Sequence, residues 1–219
     1  QKEIDLKDAL SIIKTQNRLQ EQRLRISRDL HDNIGSQLTF IISSVDNLKY
    51  ISKDANKKLK DKLSNISSFT SETIHQLRDT IWAMNKSEIT VEDLHTRALS
   101  FVEKAKKATQ NIDFEVNQKI KKEITLSSLK GMNIFRVIQE SINNSIKYAE
   151  ASKISVLISE EDNKLAVIIK DNGIGFDIKT VDLGNGLSNM EKRISEIDGR
   201  VGIISEVNKG TTIRIICKL

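Results

Sequence analysis

The sequence predicts an α+β protein in two parts: a helical first part, then an α/β sandwich with its helices on one face of the sheet. Three observations predict it. Proline is absent from all 219 residues and eight of the nine glycines lie after residue 130, so little interrupts helix in the first half. Up to Met84 apolar residues recur every three or four positions, the period of a helix face. After residue 150 they alternate in short runs between turn residues, the period of strands.

Composition narrows the function classes. The net charge of +5 is spread as mixed Lys and Glu along the helices, and aromatics make up only 4% of the chain. No basic block interleaved with stacking residues is present, so nucleic acid is excluded as an expected partner. Cys217 is the single cysteine, which excludes a disulfide framework and points to a reducing compartment. No apolar run approaches the roughly 18 residues of a membrane-spanning helix. The chain begins at Gln1 without Met or a leader, and the expectation is a segment of a longer protein.

From Lys2 to Leu24, Leu6, Leu10, Ile13, Asn17, Gln20 and Leu24 stand at heptad spacing. Polar residues on such a seam fix register, so residues 1–24 read as a short parallel coiled coil; a single solvated helix is the alternative. Continuing the heptad would bury Ser27 and His31. The stripe instead becomes Ile26, Leu30, Ile34, Leu38, Ile41, Val45 and Leu48, a phase change placed between Leu24 and Ile26. On that stripe His31 lies on the flank and Asp32 points away.

The polar stretch 52–58 reads as the turn of a helical hairpin. A second amphipathic helix follows, with Leu59, Leu63, Ile66, Ile74, Leu77, Ile81 and Met84 inward. Two helices cannot cover both stripes, so two copies are expected to form a four-helix bundle, a homodimer through residues 1–86. The expected divisions are 1–24, 25–86 and 87–219.

The second part reads as a helix over 91–110, a strand over 112–117, and a helix over 126–149 capped by Ser127 or Ser128. Strands follow at 153–159 and 164–170, then a glycine-rich segment and a helix over 187–197. Strands at 201–206 and 211–218 complete it. Strands that follow one another through short turns, with helices grouped elsewhere, give the sandwich.

Four of its segments carry chemistry. In Asp171-Asn172-Gly173-Ile174-Gly175-Phe176-Asp177 an acid ends an apolar strand and two glycines follow. A carboxylate there accepts hydrogen bonds and suits an exocyclic amine, and the glycines let a planar ligand approach the backbone; a tight turn is the bland alternative. Gly184-Asn185-Gly186-Leu187 opens a helix, whose free N–H groups favour phosphate. Asn189 replaces the third glycine of a dinucleotide fingerprint, and no Gly-Lys-Ser/Thr loop exists, so both common nucleotide motifs are excluded. Glu140, Asn144, Lys147 and Tyr148 share one helix face, with Asn143 beside them. Amide oxygen with phosphate and water suits Mg²⁺, and Lys neutralises phosphate; a solvated face is the alternative. Gly210-Thr211-Thr212 opens the last strand, where a hydroxyl can support the base-binding acid. His75 and His95 have no ligand set around them. Trp82 and Met84 read as packing.

These segments, in this order, resemble the N, G1 and G2 boxes and the terminal Gly-Thr of the GHKL ATPase fold of sensor histidine kinases. Arg28-Asp29-Leu30-His31-Asp32 resembles the phospho-acceptor motif of their His-Asp subfamily, HisKA_3, and the likeness covers residues 20–219. The resemblance implies that Asp171 reads the adenine amine of ATP and Asn144 holds Mg²⁺. Gly173, Gly175, Gly184 and Gly186 would shape the lid and phosphate pocket, with Asn143, Leu187 and Thr211 in contact with nucleotide. Glu140 and Lys147 would lie near metal and phosphates. Tyr148 stands where relatives often have His.

The implied reaction is transfer of the γ-phosphoryl group of Mg-ATP to His31, with Asp32 orienting the imidazole or taking its proton. The group then passes to an Asp of a response regulator receiver domain. Arg28, one turn before His31, either assists these transfers or is a solvated side chain, the latter being the favoured reading. Many relatives have a Gln, tied to dephosphorylation of the regulator, where Ser36 stands, with Gln37 next to it. The alternatives are a nucleotide-binding pseudokinase acting as a dimeric scaffold, or a GHKL ATPase without histidine transfer. The segment is expected on the cytoplasmic side of a protein anchored in the bacterial inner membrane.

Overall fold

The structure, a computed structural model, describes residues 2–52, 56–109, 111–178 and 184–219. It divides into two compact units, Gln1–Ser87 and Glu88–Leu219, and each is described by itself.

The first unit is a helical hairpin. Helix α1 (Lys2–Asp29) runs without interruption past Leu24 and enters a π-helical turn, Leu30–Gly35. Helix α2 (Ser36–Ile51) continues from it, and α3 (Lys57–Met84) returns alongside. Asn56 starts α3, its side chain accepting the N–H of Leu59 at 2.9 Å, as a short polar cap does. The hairpin turn expected over 52–58, and with it the handedness that Lys53 to Lys58 would set, lies partly outside the described residues.

The phase change falls in a different place from the one expected. Ser27, which the displaced stripe turns away from the seam, is buried, while Ile26 and Ile34 are exposed. Ser27, Leu30, Gly35, Leu38, Ile42 and Val45 are turned in, with Ser44 beside Val45. Their steps are three, five, three, four and three, and the step of five spans the π turn. A wider turn of i→i+5 bonding accommodates one extra residue, so the break in register lies at Leu30–Gly35 and not at Leu24–Ile26. It leaves His31, Asp32, Asn33 and Ile34 exposed in succession.

The second unit is an α/β sandwich. Strand β1 (Glu88–Thr90) leads into α4 (Val91–Ala108), and Thr90 and Asp93 form a capping box at that junction. Strands β2 (Asp113–Lys119) and β3 (Thr125–Ser127) precede α5 (Ser128–Tyr148), for which Ser127 is the cap, accepting from the N–H of Lys130. Then come β4 (Lys153–Glu161), β5 (Lys164–Asp171), α6 (Gly184–Ser195), β6 (Arg200–Glu206) and β7 (Gly210–Lys218). Helix α6 starts at Gly184, three residues before the expected position.

The main sheet has the order β2-β4-β5-β7-β6, and β1 pairs with β3 in a separate two-stranded ribbon that the sequence reading missed. Three residues are too few to show alternation. Pairing is antiparallel except between β2 and β4, which are parallel. The run of strands through short turns is thus broken twice, by α5, which carries the chain back to the same sheet end between the parallel strands β2 and β4, and by α6 between β5 and β6. The β4–β5 hairpin turns on Asp162 and Asn163, both at positive φ, the geometry that matches strand twist.

One face of the sheet carries Ile154, Val156, Ile158, Leu165, Val167, Ile169, Ile213, Ile215 and Cys217, all buried in the same core as Leu94, Ile134, Ile138, Ile142 and Ile194 of the helices. Burial of this apolar area, at roughly 25 cal/mol per Å², holds α5 against the middle of the sheet. That fixes the last turns of α5 beside the end of β5. Asn133 fastens α5 to α6 through its buried amide, which donates to the carbonyl of Arg193 at 3.0 Å.

Gly35 closes the π turn at φ −60, and a Cβ there would meet nothing closer than the Leu30 carbonyl at 3.9 Å and Leu77 Cδ2 at 4.0 Å. Gly35→Ala is expected to stabilise the hairpin by about 1 kcal/mol through helix propensity, read as a higher Tm. A lower Tm would show that this turn needs the freedom of glycine.

Candidate nucleotide site and histidine face

The second unit brings Asp171, Gly173, Gly175 and Thr211, four of the residues expected at a nucleotide site, together around the end of β5. Asp171 is 4% exposed, so its carboxyl must be met by donors. Oδ1 accepts the N–H of Gly173 at 2.9 Å and the N–H of Thr211 at 3.1 Å, and Oδ2 accepts the hydroxyl of Ser145 at 2.9 Å. The support expected from a Thr hydroxyl therefore comes from the Thr211 backbone. The Thr211 hydroxyl pairs with that of Ser205 at 2.9 Å, and Ser205 also accepts the N–H of Phe176 at 2.9 Å.

The glycines are set by close approach. A Cβ on Gly173 would stand 2.1 Å from the carbonyl oxygen of Ala149, just past α5, and the next N–H, of Ile174, donates to that same oxygen at 2.8 Å. Gly175 has φ +56, and a Cβ there would lie 2.0 Å from the Glu206 carbonyl. Gly210, at φ +81, presses on the backbone of Asp171 in the same way. The segment after Asp171 is thus laced to α5 on one side and to the β6–β7 hairpin on the other.

A second group forms where α6 meets α5. A Cβ on Gly186 would lie 2.9 Å from Glu140 Oε1 and 3.6 Å from Asn144 Nδ2, which brings Gly186, Glu140 and Asn144 together. A carboxylate and an amide beside a glycine at a helix start are oxygen donors next to free backbone N–H groups, a chemistry that fits Mg²⁺ and phosphate. Gly184 opens α6, and Leu187 packs half-buried against the core. Asn143 is half-buried on α5, while Lys147 and Tyr148 are exposed in its last turn. Residues 179–183, between the two groups, lie outside the described residues.

The sequence reading missed Ser145, Ser205 and Asn172. Asn172 accepts the N–H groups of Ser152 and Lys153 at 3.0 and 2.9 Å and so ties the loop after α5 to the end of β5. A Ser beside the α5 amides was the only local signal for Ser145; its partner is 26 residues away.

His31 and Asp32 belong to the first unit. His31 Nδ1 lies 3.1 Å from Asp32 Oδ1, and the two side chains are 69% and 73% exposed. A carboxylate accepts only, so the contact is made by the tautomer with its proton on Nδ1, which leaves the lone pair on Nε2. The Ser36 hydroxyl turns back onto its own helix and donates to the carbonyls of Asp32 at 2.5 Å and Asn33 at 2.9 Å. Gln37 lines a shallow open hollow of about 560 Å³ with Ser36, Phe40 and Ile41. His75 is exposed and His95 stands 4.0 Å from Glu92; among the described residues no His, Cys, Asp and Glu group could hold a metal ion by itself. Lys86 lies over the Trp82 ring at 5.8 Å.

Gly173→Ala is expected to destabilise the protein by about 1–3 kcal/mol, because the methyl must displace backbone and not a flexible side-chain end. Thermal or urea unfolding reads it; an unchanged stability would show that the loop relaxes freely.

Two family models match the chain in tandem. Residues 22–89 match HisKA_3, described as histidine kinase, and residues 130–219 match the histidine kinase-, DNA gyrase B- and HSP90-like ATPase. The chain is 28% identical to sensor histidine kinase LiaS of Bacillus subtilis over 90% of its length and 54% of LiaS. It is 28% identical to the signal transduction histidine-protein kinase/phosphatase DegS of Brevibacillus brevis, over 94% of its length and 53% of DegS. The chain thus spans about half the length of the curated relatives it matches. Among solved structures it is similar in fold to the histidine kinase domain of the Erythrobacter litoralis EL346 blue-light activated histidine kinase, with TM-score 0.54 and 13% identity over 84% of this chain and 94% of that one. Full-length ShkA in complex with AMPPNP gives TM-score 0.53 and 13% identity over 90% of this chain and 45% of that one. A His-Asp hairpin followed by a buried-Asp sandwich, matched segment by segment, places the chain in the histidine kinases of the HisKA_3 type with a GHKL-type ATPase domain.

Proposed function

We propose that this segment is the kinase core of a two-component sensor: it transfers the γ-phosphoryl group of Mg-ATP to His31 and then to an Asp of a response regulator receiver domain. The observation that carries the reading is His31 held by Asp32 through Nδ1, at the surface, with Nε2 turned loose for attack. In the reaction Nε2 bonds to phosphorus, the bond from phosphorus to the oxygen bridging to ADP breaks, and the imidazole gains a positive charge. Asp32 offsets that charge and receives the Nδ1 proton.

Asp171 receives the exocyclic amine of adenine, and the glycines at 173 and 175 let the backbone close around that acid. Gly184 and Gly186 present N–H groups to the phosphates, with Asn143, Leu187, Tyr148 and Thr211 lining the nucleotide. Glu140 and Asn144 would hold Mg²⁺, which supplies charge neutralisation at the phosphate oxygens when bound. Lys147 adds positive charge at the same place.

The hairpin acts as a homodimer. Ile34, Ile41 and Leu48 stand seven residues apart on one helix, and Leu59, Ile66 and Phe69 follow on the other; all six are exposed in the single chain. Leu6, Leu10 and Ile13 of α1 are exposed as well. A second copy covering both sets gives a four-helix bundle fed by a parallel coiled coil, through residues 1–86. The division 1–24, 25–86 and 87–219 follows from these roles. With Ser36 committed to backbone carbonyls, Gln37 is the amide on this face that remains for dephosphorylation of the regulator. Kinship with sensor kinases supports a segment on the cytoplasmic side of a membrane-anchored protein.

Incubation with γ-labelled Mg-ATP is expected to give acid-labile, alkali-stable label on the protein, and His31→Gln is expected to remove it. Nucleotide binding without label in a competent dimer would leave a scaffold. Steady phosphate release by His31→Gln at the unmutated rate would leave an ATPase without histidine transfer.

A further inference from the structure

The hydrogen bonds to Asp171 divide its two oxygens unequally. Each carboxylate oxygen offers about two acceptor positions. Oδ1 takes the N–H groups of Gly173 and Thr211, so both of its positions are filled. Among the described residues Oδ2 takes only the hydroxyl of Ser145, itself 6% exposed. One acceptor position remains on the carboxylate, and it lies on the oxygen shared with Ser145. The single hydroxyl proton of Ser145 is committed to Oδ2, so the Ser145 oxygen is left with lone pairs only. Oδ2 and the Ser145 oxygen, 2.9 Å apart, thus form an edge of two acceptors with no donor.

We propose that Ser145 is a positioning and specificity-determining residue: it fixes Oδ2 as the oxygen that meets the base and makes the site selective for a 6-amino over a 6-oxo purine. This rests on the reading of Asp171 as the base-binding acid. An amine brings donors to this edge, whereas a 6-oxo group brings lone pairs against lone pairs in a site shielded from water, where an unpaired polar contact is most costly. The backbone donors on Oδ1 cannot supply this selectivity, because they are spent on the far oxygen. Losing the Ser145 hydroxyl would free a second position on Oδ2, release the carboxyl to turn, and admit water.

The experiment is calorimetric binding of Mg-ATP and Mg-ITP, which differ at the 6-position of the base, to the full chain and to Ser145→Ala, Ser145→Thr and Ser145→Cys. The unmutated chain is expected to favour ATP. Ser145→Ala is expected to weaken ATP by about tenfold and ITP by much less, so that the ratio narrows, and Ser145→Thr, which keeps a hydroxyl, is expected to restore it. Alanine favours helix at this α5 position; should that variant be unstable, Ser145→Cys, with a weak donor, gives the same comparison. An unchanged ATP-to-ITP ratio in the Ala and Cys variants, or an equal loss for both nucleotides, overturns the proposal while leaving ATP binding intact. Failure of the unmutated chain to bind ATP overturns the base-binding reading and the role of Ser145 with it.

Discussion

A carboxyl group shut away from water needs donors on both of its oxygens, and Asp171 is the place where the second unit is organised by that requirement. Its donors come from three directions: the loop that follows it, the start of the last strand, and the middle of α5. The two N–H groups share Oδ1, whereas moving the Ser145 hydroxyl would leave Oδ2 unmet among the described residues, at a cost of about 1–3 kcal/mol or more. The glycines follow from the same crowding. At 173, 175 and 210 a side chain would run into a carbonyl, so the backbone itself forms the walls around the acid. The core shared by α5 and the sheet supplies the rigidity against which these contacts are held.

The first unit is built on a different constraint, which is phase. A helix that must bury Ser27 against its neighbour and later bury Val45 has a set number of residues to spend between them. The π turn at Leu30–Gly35 absorbs the extra one. It does so at the proposed phospho-acceptor and its neighbour, and His31 and Asp32 are thereby both turned to solvent while flanking turns stay packed. π turns inside long helices are often found at functional positions. The Ser36 hydroxyl, bonded to the carbonyls of Asp32 and Asn33, covers part of the backbone that this wider turn disturbs.

Much of this was legible in the sequence, for local reasons. The strand ending in Asp171, the paired glycines after it and the amides of α5 are each short patterns whose chemistry can be named without knowing the fold. The cap at Ser127 is of the same kind. What was not legible depended on distance or on counting. Ser145 is an unremarked serine until the fold sets it against Asp171, and the parallel pairing of β2 with β4 appears only once α5 is known to cross over. Ribbon β1–β3 is too short to show a period. The π turn shifts register by one residue, which a 3.6-residue reading assigned to Leu24–Ile26 because the apolar side chains, not the buried ones, were followed there.

Phosphorus attachment in the phosphorylated protein, mapped by nitrogen-resolved NMR of the histidine rings, tests the central claim most directly. Bonding of Nδ1 to Asp32 leaves Nε2 as the nucleophile, so the phosphoryl group is predicted on Nε2 of His31. Attachment at Nδ1, or on another residue, would contradict the account.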